Sequence, residues 1–142
     1  MKIALGADHG GFELKEIIKS HLEKKGFEIL DKGTYSSESV DYPNFAKEVS
    51  KSILTNEAKY GILICGTGIG ISITANRFRG IRAALCGNTT MAKLTREHND
   101  ANILALGARI TGDVLALDIV DTFLSTDFEG GRHQKRIDLI ED

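Results

Sequence analysis

The sequence predicts an α/β chain: a three-layer α/β/α sandwich, Rossmann-like, with a five-stranded parallel sheet, forming a single domain over residues 1–142. Three observations predict it. Short apolar runs alternate with segments of helical periodicity five times along the chain. One of those runs, Tyr60–Cys65, is apolar throughout, as expected of a strand covered on both faces. No linker and no internal repeat interrupts the alternation.

Lys2–Ala7 is the first strand and ends in Asp8-His9-Gly10-Gly11. Phe12, Leu14, Ile17, Ile18 and Leu22 then recur at helical spacing, and Gly26 closes that helix. Phe27–Leu30 reads as the second strand, followed by a serine-rich polar loop from Thr34 to Tyr42. Pro43, the only proline, stands where a helix begins, and Phe45, Val49 and Ile53 mark its apolar face. After the third strand, Tyr60–Cys65, a glycine loop leads into a helix expected to run to about Phe78. Ile81–Cys86 is expected as the fourth strand, and Asn88-Thr89-Thr90 offers caps for a helix running towards His98. Ile103–Leu106 is the fifth strand. The next helix, Asp113–Ser125, is so apolar that burial on more than one side is expected. Gly130-Gly131 then breaks the chain before a short terminal helix, Arg132–Ile140.

Bulk properties narrow the function. The chain has 142 residues, 42% of them hydrophobic, and a formal net charge of -2. A nucleic-acid or membrane-binding surface would want a basic excess, which is absent. No apolar stretch is long enough to span a bilayer, and Met1-Lys2 leads directly into a strand rather than a targeting segment. The two cysteines, Cys65 and Cys86, form neither a disulfide framework nor a metal-type spacing. A reduced, cytoplasmic protein is expected.

In a sheet of this kind the ligand crevice lies outside the carboxyl ends of the strands. Three such ends carry chemistry: Asp8-His9, Cys65 with its glycine loop, and Arg109. In Cys65-Gly66-Thr67-Gly68-Ile69-Gly70 the alternating glycines can turn backbone amides towards an anion, and the following helix adds its positive end. The same pattern also serves as a tight strand-to-helix turn. No Gly-Lys-Ser/Thr follows, so it is not a P-loop, and Ile71 stands where a dinucleotide fingerprint needs glycine. Positive potential there suits a thiolate at Cys65, which can accept a proton from carbon. Asp8 suits either a sugar hydroxyl or the cap of the first helix. Arg132 and Arg136, four apart, share a helix face that fits a phosphate or a solvated tail. The run Glu97-His98-Asn99-Asp100 by itself reads as a solvated corner.

Six ordered motifs carry a resemblance. They are Ala7-Asp8-His9-Gly10, Asp41-Tyr42-Pro43, Ile64-Cys65-Gly66-Thr67-Gly68-Ile69-Gly70-Ile71-Ser72, Arg96-Glu97-His98-Asn99-Asp100-Ala101-Asn102, Gly107-Ala108-Arg109 and Glu129-Gly130-Gly131-Arg132-His133-Gln134-Lys135-Arg136. Nearly end to end, the chain resembles the B-type ribose-5-phosphate isomerases, in the wider group that includes the galactose-6-phosphate isomerase subunits. The resemblance implies Cys65 as the base that moves a proton between C1 and C2. It implies Thr67 and the loop amides from Gly66 through Gly68 and Ile69 to Gly70 as holders of the enediolate oxygen, and His98 as the ring opener. Asp8, His9, Tyr42 and Asn99 are implied as substrate contacts, and Arg109, Arg132 and Arg136 as contacts mainly to the phosphate. No metal and no organic cofactor is implied. Some members use a glutamate just after the glycine loop instead of a cysteine; here that position is Ile71, which cannot take a proton.

Topology adds a constraint. His98 ends a helix that leads into the fifth strand, so it is expected at the amino edge of the sheet, opposite Cys65. One chain then holds two half sites, and a homodimer, or a tetramer built from it, would join the His98 and Asn99 of one subunit to the Cys65 of another. The alternatives are a hexose phosphate isomerase acting on allose or galactose 6-phosphate, and a non-catalytic phosphate- or nucleotide-binding module that uses the same loop.

Overall fold

The computed structural model describes residues Met1–Glu141. Five strands and six helices follow one another as β1 (Lys2–Ala7), α1 (Phe12–Lys24), β2 (Glu28–Asp31), α2 (Tyr42–Leu54), β3 (Tyr60–Cys65), α3 (Ile69–Ala75), β4 (Ala83–Leu85), α4 (Thr89–Asn99), β5 (Ile103–Gly107), α5 (Asp113–Ser125) and α6 (Arg132–Ile140). The strands form one sheet in the order β2-β1-β3-β5-β4. Every pairing is parallel, as the sequence predicts.

Side-chain alternation along the central strands builds the two cores. Ile3, Leu5, Tyr60, Ile62, Ile64, Leu104 and Leu106 face α1, α4 and α5, where Leu14, Ile18, Leu22, Ala92, Ile119 and Phe123 meet them. Ala4, Leu63, Cys65, Ile103 and Ala105 face α2 and α3, where Ala46, Val49, Ile71 and Ala75 meet them. The strong apolarity of α5 goes largely into this packing: Ala116, Ile119, Val120 and Phe123 are buried, while Val114 and Leu115 at its start stay exposed.

Two elements are shorter than the sequence suggests, for one reason. α3 stops at Ala75, not near Phe78, and β4 covers only Ala83–Leu85, not Ile81–Cys86. The side chain of Asn76 accepts from the Ala83 amide at 2.7 Å and donates to the Ala83 carbonyl at 2.9 Å. It thereby takes the place of a neighbouring strand on the open edge of the sheet and pins the turn between α3 and β4. On the other side Asn102 accepts from the Arg82 amide at 2.9 Å. A side-chain amide can satisfy these groups as well as a ladder can, but apolar periodicity does not reveal it.

Among the described residues no helix is long and apolar enough to cross a membrane.

Candidate active site

At the carboxyl edge the ends of β1, β3 and β5 lie side by side. Cys65 is paired in register with Gly107, and Ala7 with Ile64. The backbone knits the loops beyond them: Ala108 donates to the Cys65 carbonyl and Arg109 to the Gly66 carbonyl, both at 2.9 Å. The Arg109 stem consequently lies against Gly66, where a Cβ would stand 3.3 Å from its Cδ. Tyr42, the first residue of α2, lies against Gly70.

Cys65 is buried, and its sulfur accepts a hydrogen bond from the Gly68 amide at 3.1 Å. Gly68 has φ +79, in the left-handed region, which turns that amide back over the sulfur. A donor aimed at the sulfur is the partner a thiolate needs. The amides of Gly66, Thr67 and Gly70 have no acceptor among the described residues. Thr67 is exposed, and its Oγ1 accepts from the Ile69 amide at 3.2 Å. Cys86, the other thiol, lies in the opposite core, where burial pushes it up to about 11.

Asp8 is buried, and of the two roles open to it the structure shows only a local one at the start of α1, whose N-cap is Gly11. Its Oδ1 accepts from the Gly11 amide at 3.1 Å, tightening the turn into α1, while the residue stays beside the glycine loop. The Nδ1 of His9 accepts from the Val40 amide at 3.2 Å. In the neutral ring this places the hydrogen on Nε2, which is left to donate to a ligand oxygen.

The approach of the loop to β5 depends on Gly107. A Cβ there would stand 2.4 Å from the Thr67 carbonyl oxygen, which is backbone and cannot swing aside. Gly107→Ala is therefore expected to destabilise the protein by about 2 kcal/mol, as for other overpacked sites. It should also raise KM by displacing the loop. Thermal melts and a KM measurement check this.

The remaining residues do not join this cluster. α4 runs back across the sheet, and Arg82, just before β4, donates to the carbonyls of Asn99 and Asp100 at 2.9 Å. His98 and Asn99 therefore sit at the amino edge. Between the two edges, β5 spans five residues from Ile103 to Gly107, or about 13 Å at the usual strand rise. The motif around His98 is a clamp. Arg96 is buried and donates to Asp100 Oδ1, the Ala101 and Thr126 carbonyls and the Tyr60 hydroxyl. Asp100 ends the helix with φ +45. Both α6 and the loop before it pack on this end of α4, since the Glu129 amide donates to the Glu97 carbonyl at 3.1 Å. Arg132 and Arg136 are exposed on α6 and, like Arg109, make no ion pair among the described residues.

Two residues here were not singled out from sequence. His133 is buried, and its ring stacks on His98 at 4.4 Å between centroids with 21° between planes. Glu129 Oε1 lies 3.5 Å from the Nε2 of each ring. The three ligand atoms lie within 4.8 Å of one another, and two imidazoles with a carboxylate are a donor set for a transition metal. However, the rings are nearly parallel, so their lone pairs run side by side instead of converging on one point. The signal available in the sequence was Glu129-Gly130-Gly131-Arg132-His133, whose glycines hide the i, i+4 relation of Glu129 to His133.

Comparison with known proteins shows the family and its fold. The family model for ribose/galactose isomerases matches residues 3–140. The chain is 53% identical over 139 residues to the ribose-5-phosphate isomerase B of Escherichia coli, covering 98% of this chain and 93% of that one. Among solved structures, the ribose-5-phosphate isomerase B of Clostridium thermocellum superposes with a TM-score of 0.99 at 56% identity, covering 99% of this chain and 95% of the other. That of Thermotoga maritima gives 0.97 at 62% identity, covering 99% and 97%. The chain belongs to the ribose/galactose isomerase family.

Proposed function

We propose that this protein interconverts ribose 5-phosphate and ribulose 5-phosphate through an enediolate, with Cys65 as the base, in a site shared between two subunits. The observation that carries it is the Cys65 sulfur, held by the Gly68 amide among unpaired loop amides, at the end of β3, which lies alongside the end of β1 that leads into Asp8 and His9. Relatives named for this reaction match the chain over nearly its whole length. The relative from Mycoplasma genitalium, 45% identical, was solved with ribulose-5-phosphate bound.

Ribose 5-phosphate is mostly a closed furanose, and only the open aldehyde can isomerise. In ring opening the C1–O4 bond breaks, His98 gives a proton to O4, and the proton on O1 passes to solvent. Cys65 thiolate then takes the C2 proton. Charge moves to O1, where Thr67 and the amides of Gly66 to Gly70 hold it. The thiol returns the proton to C1, and O2 ends as the ketone oxygen after its proton passes to O1. Asp8, His9, Tyr42 and Asn99 orient the hydroxyls. Arg109, Arg132 and Arg136 hold the phosphate, so its binding energy serves orientation.

His98, Asn99, Arg132 and Arg136 lie at the end of the chain's own sheet away from Cys65, and a two-fold dimer supplies them from a second copy. An exposed apolar rim supports this. Ile69, Met91 and Ile110 line a cavity of about 380 Å³ beside the glycine loop. They are 52%, 45% and 72% exposed, and Ile73 on α3 and Leu94 on α4 are exposed as well. The test is to co-express a Cys65→Ala chain with a His98→Asn chain and assay the mixed dimer. One intact site per mixed dimer should restore up to about half of the wild-type activity. A confirmed mixed dimer with no more activity than either parent would refute the shared site.

A further inference from the structure

We propose that His133 and Glu129 are positioning residues for His98: the His133 ring is a plate that fixes the plane of the ring-opening imidazole, and Glu129 holds its Nε2 edge. This deepens the reading above and rests on His98 being the ring opener.

Three observations carry it. His98 needs a support. Its side chain is 41% exposed on the last turn of α4, and no hydrogen bond from its own helix holds the ring. Freezing such rotors at the moment of reaction slows the step, and a poorly aimed acid slows it further. His133 can give that support, because its own side chain is only 10% exposed. It is buried together with Ile137 as the inner face of α6. The stacking, 4.4 Å and 21°, restricts the His98 ring to one plane. Finally, Glu129 reaches both rings from a segment anchored to the same helix end, through its amide to the Glu97 carbonyl. Plate, carboxylate and His98 therefore form one unit that moves with the α4 terminus and not with the glycine loop.

The support matters only for the step that His98 performs. Ring opening is needed when ribose 5-phosphate is the substrate. Ribulose 5-phosphate carries its phosphate on the one oxygen that could close a five-membered ring on C2, so it is acyclic and reaches Cys65 without that step. At saturating substrate a positioning defect at His98 should therefore lower the forward kcat much more than the reverse kcat, with KM shifting so that the ratio of the two kcat/KM values stays at the equilibrium constant. General damage to the fold, or to the proton transfer, would slow both alike.

The experiment compares initial rates in the two directions for the full chain and its His133→Ala, His133→Phe, Glu129→Ala and His98→Asn variants. His133→Ala should lower kcat from ribose 5-phosphate about 30-fold, with at least a tenfold smaller loss from ribulose 5-phosphate. Glu129→Ala should show the same split to a smaller extent. His133→Phe keeps a flat ring in the same place and should recover most of the forward rate. Phe also keeps the α6 face packed, so the comparison survives if the alanine variant folds poorly. His98→Asn calibrates the assay. If it shows the split and the His133 and Glu129 variants show none, or lose both directions equally, the positioning role is overturned and the ring-opening role stands. If His98→Asn itself shows no split, the ring-opening reading fails and the inference fails with it.

Discussion

Cys65→Ser is expected to lower kcat about a thousandfold in both directions, within the range that general acid–base groups supply, while the protein still folds. The hydroxyl is close in size to the thiol and can accept the Gly68 amide in the same place. Packing at this buried position thus changes little. The lost property is a group that ionises readily enough to take a proton from carbon. Because the same C–H bond is made or broken whichever sugar is supplied, the loss should be equal for ribose 5-phosphate and ribulose 5-phosphate. That equality separates a base from the ring-opening group. KM should change little, because the arginines and Asp8 remain and the loss falls on a step after binding. A coupled isomerase assay on ribose 5-phosphate, with a thermal melt to confirm folding, decides it. Turnover within tenfold of the unaltered protein would remove Cys65 from the mechanism.

The parts of this site that were legible in the sequence are those whose chemistry is local. Cys65, the glycines after it and Thr67 follow one another, so a strand end, a turn and a helix start are readable together. Even the separation of His98 from Cys65 was legible, because a helix that feeds a parallel strand must end at that strand's amino edge. Strand order was not: alternation counts strands but says nothing of β5 lying between β3 and β4. Nor was the His98–His133 stack, since 35 positions of chain separate two residues whose rings touch. The bounds of α3 and β4 were misjudged because Asn76 and Asn102 satisfy backbone groups through side chains. Apolar periodicity reports burial, and these contacts are polar.

Lys15 was hidden for a related reason. A lysine on an amphipathic helix reads as solvated, yet this one is fully buried. Its Nζ donates to both Asp31 oxygens, at 2.8 and 2.7 Å. Lys19 donates to the same carboxylate at 3.1 Å, and the Gly33 amide donates to its Oδ1 at 3.0 Å. Asp31→Asn is expected to destabilise the protein by about 3 kcal/mol, because it leaves the buried ammonium with only the half-exposed Glu16 carboxylate at 3.4 Å to match its charge. Lys15→Met removes the charge that needs pairing and leaves Asp31 with Lys19 and the Gly33 amide. It should cost about 1 kcal/mol or less, since an apolar side chain of similar volume replaces the buried partner. The asymmetry between the two variants is the diagnostic result, read from denaturant melts at neutral pH. Equal effects would mean that the pair contributes only as packing. The pH dependence carries a matching sign. Burial would raise the Asp31 carboxyl, but the Lys15 bond, the Gly33 amide and Lys19 together outweigh it and hold the group below the usual carboxylate range. A carboxylate whose folded value is depressed contributes its full stability above its unfolded value of about 3.9 and loses it as pH falls through the folded value. The unaltered protein should therefore lose stability steeply on the acid side of pH 4, and Asp31→Asn should show a shallower fall there. The consequence reaches the active site through the backbone. Gly33, held by Asp31, accepts from the Ala7 amide, and Thr34 donates to the Ala7 carbonyl at 2.7 Å, directly before Asp8. Acid or the asparagine substitution is thus expected to loosen the backbone frame at the end of β1, next to the proposed substrate contacts Asp8 and His9.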